Sequence, residues 1–312
     1  MTTPHTAIVV GISTEGSEAA VRFAVEEGRR SGRPVHLVHV LQLPAGDAYA
    51  MLYDGAVEAA RTVLAAAEVQ AKELAGDRVV VTSEVANSGW AVEELALHSD
   101  GEQLLVLEHR ALSRLHRVLS GSVTQRVAGR AGVPVFSVPA GWTPRDDGQA
   151  LVTAAVQDAA EAPALLRAAF VEARDRKSTL VVLHAWWLAS GFESAVLDEV
   201  MGAEWSVRTR LELEPVLTPL RAAFPDVEVT IDVRHAPPVE AVLDAAERSD
   251  LLVIGRRHHL LPLGSHLGPV ARAVLGHATT PVLITPEVEV TDADAKRSSR
   301  RGHLVGSLAP HS

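Results

Sequence analysis

The chain repeats itself. "PVHLVHV" (Pro34 to Val40) returns as "TLVVLHAWW" (Thr179 to Trp187), setting His39 against His184 at a separation of 145 residues. "AGVPVFSVP" (Ala131 to Pro139) returns as "ATTPVLITP" (Ala278 to Pro286), with Pro134 against Pro281, 147 apart. Between these blocks "SGSVTQRVAGRA" (Ser120 to Ala131) matches "LGPVARAVLGHA" (Leu267 to Ala278), and Gly121 falls on Gly268 at the same separation of 147. Near-constant spacing over separated blocks indicates one domain duplicated, so the 312 residues hold two copies of one fold rather than two unrelated domains. The junction is "GWTPRDDGQ" (Gly141 to Gln149), whose Pro, Gly and Asp content suits a linker. The first domain is therefore expected over 1–141, the linker over 142–149 and the second domain over 150–286. Residues 287–312 carry Lys296, Arg297, Arg300 and Arg301 with no strand or helix period, and are expected to form a disordered polar tail.

Within each copy short β-rich runs alternate with helical stretches. The first copy has strands expected at Ala7 to Ile12, Val35 to Val40, Arg78 to Val85, Gln103 to Leu107 and Val135 to Val138. Helices are expected at Ser17 to Arg30, Ala48 to Leu74, Ala91 to His98 and Ser122 to Arg130. The second copy repeats the strands near Leu151 to Val156, Leu180 to His184, Val227 to Val233, Leu251 to Ile254 and Val282 to Thr285. Alternation of this kind with nearly continuous apolar strands means a parallel sheet covered on both faces. Each domain is thus expected to be α/β, a doubly wound unit with a five-stranded parallel sheet.

Composition narrows the function. There is no cysteine, which excludes a thiolate zinc site, an iron–sulfur cluster and a cysteine nucleophile, and fits a reducing, cytoplasmic setting. A formal charge of −10, from 29 Lys+Arg against 39 Asp+Glu, opposes a binder of nucleic-acid backbone. Only 4% of residues are aromatic, too few for a base-stacking platform or a membrane belt. The polar start, Met1 to Thr6, has no signal-peptide pattern, and no apolar run approaches the roughly 18 residues of a membrane span. Neither nucleic acid nor membrane is an expected partner.

In an open doubly wound sheet the ligand crevice lies beyond the strand C-termini, where strand order reverses. The loops after strands 1 and 4 of each copy are therefore the ones to read. They are "GISTEGS" (Gly11 to Ser17) and "EHRALSRLHRVLSGS" (Glu108 to Ser122), then "AVQDAAEAP" (Ala155 to Pro163) and "GRRHHLLPLGSHLGP" (Gly255 to Pro269). In the last, Gly255, two residues, His258, nine residues and then Gly268 opening a helix resembles the G-x2-G-x9-G-[S/T] phosphate loop of the universal stress protein family. With the strand motifs above, the resemblance covers both copies, about residues 5–286, and makes the chain similar to a tandem universal stress protein.

The resemblance implies a strand order of 3-2-1-4-5, of the adenine-nucleotide alpha-hydrolase-like type, in each domain. It implies an intramolecular pseudo-dimer paired through the last strands, Val135 to Val138 against Val282 to Thr285, and leaves a homodimer open. It also implies that ATP lies across the crevice, with an acid ending strand 1 on the nucleoside, backbone near the end of strand 2 on adenine, and the glycine loop on the phosphates. Glycine permits close backbone approach, and a helix N-terminus offers free N–H groups and partial positive charge. Carried onto the second copy, the nucleotide residues are Ala155, Gln157, Trp186, Gly255, Arg256, His258, Gly268, Pro269 and Val270, where Gln157 stands for the acid and Pro269 for the hydroxyl residue. Carried onto the first, they are Gly11, Ser13, Val40, Gly121, Ser122 and Val123. There Ser13 replaces the acid, and the two earlier glycines fall on Glu108 and Ala111, a carboxylate that would repel phosphate and a residue that resists a left-handed backbone.

The function expected is a cytoplasmic stress-response binding or signalling module with ATP, if any, in the second domain. Two alternatives stand beside it: a nucleotide-free scaffold for a protein partner, and an ATPase or nucleotide transferase using the second loop. No catalytic residue and no metal site is assigned, since the 14 histidines show no ligand spacing. His39 and His184, ending repeated strands, read as structural.

Overall fold

The structure is a computed structural model that describes residues 6–41, 48–86, 94–95, 104–110, 123–145, 150–160, 162–187, 194–256 and 267–286. The first copy contributes β1 (Ile8–Gly11), α1 (Glu18–Ser31), β2 (Val35–Val40), α2 (Ala48–Ala75), β3 (Val81–Ala86), β4 (Leu104–His109), α3 (Val123–Ala128) and β5 (Val135–Pro139). The second contributes β6 (Leu151–Ala155), α4 (Ala162–Arg176), β7 (Thr179–Trp186), α5 (Ser194–Ala223), β8 (Val229–His235), α6 (Pro238–Glu247), β9 (Leu251–Gly255), α7 (Pro269–His277) and β10 (Val282–Thr285). The helix expected over Ala91 to His98 and the tail at 287–312 lie outside the described residues, the helix all but for residues 94–95. The third strand begins later than its apolar run, at Val81 rather than Arg78, because Gly76 (φ 55°) and Asp77 form the turn that leaves α2, closed by the Arg78 N–H on the Ala75 carbonyl.

Each copy has the order 3-2-1-4-5, and the two sheets join into one of ten strands, β3-β2-β1-β4-β5-β10-β9-β6-β7-β8. All pairings are parallel except β5 with β10, which is antiparallel with Phe136 opposite Leu283. Those two residues are equivalents, 147 apart, so a local twofold passes between them and the seam is self-complementary. The expected pairing of the last strands is thus present. Pro134 and Pro281 sit just before the two strands, where a missing N–H interrupts no ladder.

Strands β1, β2, β5 and β10 are buried almost throughout, as a sheet covered on both faces requires. On one face α1 and α4 pack side by side over the seam, in a core that runs unbroken from Phe23 through Phe136 and Leu283 to Ala169. On the other, Val127, Val135, Leu275 and Val282 form a second continuous core under α3 and α7. The duplication extends to helix ends. Gly32 (φ 69°) closes α1 in the left-handed region, and Lys177 (φ 53°), 145 residues on, closes α4 in the same way.

Charge also sits at the seam. Glu27 on α1 and Glu172 on α4 are equivalents 145 apart, both largely buried, and Arg176 binds both carboxylates. Arg30 adds a second cation to Glu27. The residue equivalent to Arg176 in the first copy is Ser31, so one buried arginine serves two symmetry-related acids.

Candidate functional site

The loops after β6 and β9 bound a cavity of about 420 Å³ in the second domain. Its walls are apolar, with Val156, Leu165, Leu183, Val242 and Ile254 among them, and its polar groups are few: Gln157, Asp158, Arg256 and the backbone at the start of α7. A mostly apolar cleft of a few hundred Å³ with sparse, convergent polar groups is the usual form of a small-molecule site. Gly255 keeps the cleft open, because a Cβ there would lie 3.2 Å from Leu165 Cδ1.

The start of α7 is arranged as an anion site would be. Gly268 is the N-cap residue, with extended backbone and no side chain to hold the first amides. Its carbonyl takes the Arg272 N–H at 3.0 Å. Pro269 has no N–H, which leaves the amides of Val270 and Ala271, both at the cavity wall, without a partner inside the helix. The helix dipole adds partial positive charge at the same end.

Of the sequence candidates in this copy, Ala155, Gln157, Gly255, Arg256, Gly268, Pro269 and Val270 come together around the cavity. His258 lies outside the described residues. Trp186 does not line the cavity: its indole is buried in a stack with His235 (4.0 Å between ring centroids) and Trp205 (5.2 Å). Its neighbour Ala185 takes the wall position instead. Asp158 was not a sequence candidate, yet it lines the cavity and accepts the Ala160 N–H at 2.8 Å, which fixes the turn. The signal was available one residue away: counting from β6 puts Gln157 at the acid's place, and a carboxylate, Asp158, follows it directly.

The equivalent crevice in the first domain measures about 660 Å³ and includes Gly11, Ser13, Val40 and Val123 in its wall; Gly121 and Ser122 lie outside the described residues. Its chemistry differs at one strand end. The Glu108 carboxylate reaches the start of α1, where Oε2 accepts the Ala19 and Ala20 N–H groups at 2.9 and 3.3 Å. Ser17, the N-cap residue, makes no cap bond, since its Oγ donates to the Gly16 carbonyl and accepts the Ser13 N–H. A residue 89 positions distant therefore caps this helix. Arg110 is engaged by the Glu15 carbonyl and carboxylate.

The two crevices meet through the seam. His109 ends β4, and its ring donates Nε2–H to the Ala278 carbonyl of the second domain at 3.2 Å while Nδ1 faces Ser137 Oγ at 2.8 Å. Burial holds this imidazole below the usual histidine range, although the Ala278 contact pulls the other way. Arg256, 147 residues on, donates to the carbonyl of Ala131, itself the equivalent of Ala278. Each domain thus grips the same carbonyl of the other, and in the second domain the gripping residue also forms part of the cavity wall. His39 and His184 have matching roles, with Nδ1 held by the carbonyls of Ile12 (2.9 Å) and Val156 (3.1 Å). Among the described residues, no helix is long and apolar enough to cross a membrane.

A family model described as the universal stress protein family matches residues 5–139 and, separately, 151–286. A universal stress protein of Mycolicibacterium smegmatis is 28% identical over 288 residues, covering 89% of this chain and 96% of the relative. A universal stress protein of Mycobacterium tuberculosis is 27% identical over 289 residues, with the same two shares. Among solved structures, a universal stress protein from Archaeoglobus fulgidus superposes with a TM-score of 0.65 at 18% identity, covering 92% of this chain and 100% of that one, a likeness of fold.

Proposed function

Because the chain belongs to the universal stress protein family, with two of its domains in tandem, we propose that it is a binding module whose second domain holds an adenine nucleotide. The observation that carries this reading is the single cavity that gathers the α7 amides, the Arg256 guanidinium and the Gln157–Asp158 turn. In this reading the phosphates lie at Gly268 to Ala271, where amides and helix dipole favour anions. The Asp158 carboxylate accepts hydrogen bonds from the ribose hydroxyls, and the base rests on the apolar wall of Leu183, Ala185 and Val242. The ligand would act as a signal carried to the rest of the chain, since Arg256 joins the cavity to the first domain. The absence of cysteine suits action in a reducing cytoplasm.

The test is calorimetric titration of the full chain with ATP, with mass spectrometry of small molecules released from the purified protein. Wild type is expected to bind and to melt at a higher temperature with ATP present, because a ligand of the native state stabilises it by mass action. Gly268→Asp puts an anion on the amides a phosphate would use. It is expected to weaken ATP at least roughly tenfold while leaving stability unchanged or slightly raised, since Asp is a better N-cap than Gly. No binding by wild type and no released nucleotide would favour the nucleotide-free scaffold.

A further inference from the structure

Acidic residues avoid two stretches of the chain. Asp and Glu make up 39 of the 312 residues, yet none falls in the 37 residues from His109 to Arg145 or in the 36 from Leu251 to Pro286. The same stretches hold nine arginines and no lysine, so the net charge of −10 divides into +9 here and −19 elsewhere. They are corresponding parts of the two copies, each reaching from the fourth strand through the fifth, and the β5–β10 join lays them side by side. Folding then sets the charge on one face. Helices α3 and α7 cover the seam on one side of the sheet and touch at equivalent positions, where Gln125 Nε2 donates to the Arg272 carbonyl at 3.3 Å. Arg126 on α3, Arg130 just after it and Arg272 on α7 are all exposed. Among the described residues neither Arg126 nor Arg272 has an ion-pair partner, whereas Arg110, Arg145 and Arg256 are held by the carbonyls of Glu15, Glu247 and Ala131. The opposite face differs: α1 and α4 carry both signs, and their charges pair within the chain, as Arg30 does with Glu27 and Arg176 with Glu172.

We infer that the α3–α7 ridge is a docking surface for a short acidic segment, rich in Asp and Glu, of a partner protein. Three features of the ridge select this occupant. Its charge is of one sign, and exposed guanidinium groups with no acid of their own chain favour carboxylates, which they meet in fork geometry. Its extent is small: α7 has nine residues and is about 14 Å long, a length that an extended segment of about four to six residues covers. Its border is acidic, since α6 packs against α7 and exposes Glu240, Asp244 and Glu247. A long polyanion such as nucleic acid would run off the ridge onto that border and onto a remainder of net charge −19, and it would find no Phe, Trp or Tyr on either helix to stack its bases. A short acidic segment ends where the repulsion begins. None of the three arginines lines the cavity of the second domain, so the surface stands whether or not a nucleotide binds there.

The test is fluorescence anisotropy of labelled hexaglutamate titrated with the full chain at about 50 mM salt, with labelled hexaglutamine and a DNA duplex of about 20 base pairs as comparisons. Wild type is expected to bind hexaglutamate saturably, to ignore hexaglutamine, and to release hexaglutamate as salt rises to about 300 mM. Arg126→Glu/Arg272→Glu is expected to weaken hexaglutamate at least roughly tenfold. Arg167→Glu/Arg210→Glu makes the same change in net charge at exposed positions of α4 and α5, and is expected to leave the affinity within about twofold. No saturable binding by wild type, or equal losses in the two double variants, would overturn the inference. Tighter binding of the duplex than of hexaglutamate, lost in Arg126→Glu/Arg272→Glu, would overturn it in favour of nucleic acid. Should the charge reversals not fold, Arg126→Gln/Arg272→Gln removes the charges alone. It is expected to weaken hexaglutamate at least about threefold, and an unchanged affinity would overturn the inference.

Discussion

Arg176→Met is expected to lower the folding stability of the full chain by about 3–5 kcal/mol, read by urea denaturation near neutral pH. The Arg176 side chain is only 6% exposed, and it is held between Glu27 at 8% and Glu172 at 17%. Methionine fills most of the same volume, so packing is not the main loss. The loss comes from leaving two carboxylates buried near each other at the local twofold, with only the partly exposed Arg30 to face one of them. Removing all three charges together, as Glu27→Gln, Arg176→Met and Glu172→Gln, is expected to restore most of the stability, because a buried ion cluster and a neutral replacement of like shape often differ little. A single Arg176→Met that costs less than about 1 kcal/mol would show that the acids are solvated in the native protein or take up a proton once the arginine is gone.

The same cluster sets a pH dependence. Burial pushes the Glu172 carboxyl up to about 7, against the opposing pull of Arg176. A carboxyl that holds its proton more tightly when folded than when unfolded contributes stability that is complete below its ordinary value near 4.5 and is withdrawn as pH rises through about 7. Glu172→Gln cannot lose that proton. Its stability relative to wild type is therefore expected to improve between about pH 5 and about pH 8, and a constant difference across that range would show that Glu172 stays ionised throughout.

Phe136→Ala is the second large effect, expected at about 3–5 kcal/mol, because truncating a fully buried ring leaves a cavity that its surroundings fill only in part. The ring is buried on β5, tilted against Phe23 at 4.8 Å between centroids, and it faces Leu283 across the seam. The Arg176 guanidinium lies 6.0 Å from its centre, at the outer limit of a cation–π contact. Since the two side chains touch the same region, the double variant Phe136→Ala/Arg176→Met is expected to depart from the sum of the singles by more than about 0.5 kcal/mol. Strict additivity would mean that ring and charge cluster act as separate supports.

The architecture was legible because duplication wrote it twice. Two weak strand signals at nearly one separation, His39 with His184 at 145 and Pro134 with Pro281 at 147, reinforced each other, and the order within each copy followed from the family resemblance. The location of the crevices was legible for the same reason. What escaped was whatever depends on where a side chain turns. In sequence Glu108 is only a charge that would repel phosphate, and nothing in its neighbours shows that it caps a helix 89 residues away. Trp186 follows a strand that leads to the crevice, but period alone could not tell that Trp205 and His235 would claim its ring. The Glu27–Arg176–Glu172 cluster has no sequence signature, because the arginine has no counterpart in the first copy and the contact forms only when the two copies pack.

The antiparallel join between β5 and β10 has a consequence for mass action. A pair of separate single-domain chains held by such a join would fall apart on dilution, and its melting temperature would depend on how much protein is present. Here both strands belong to one chain, tethered through a junction of which Arg145 is anchored to the Glu247 carbonyl at 2.8 Å. Closing the join is therefore a first-order event at a fixed local concentration. Melting temperature is expected to stay constant over a hundredfold dilution, so that two inequivalent crevices remain in a fixed one-to-one ratio however scarce the protein becomes.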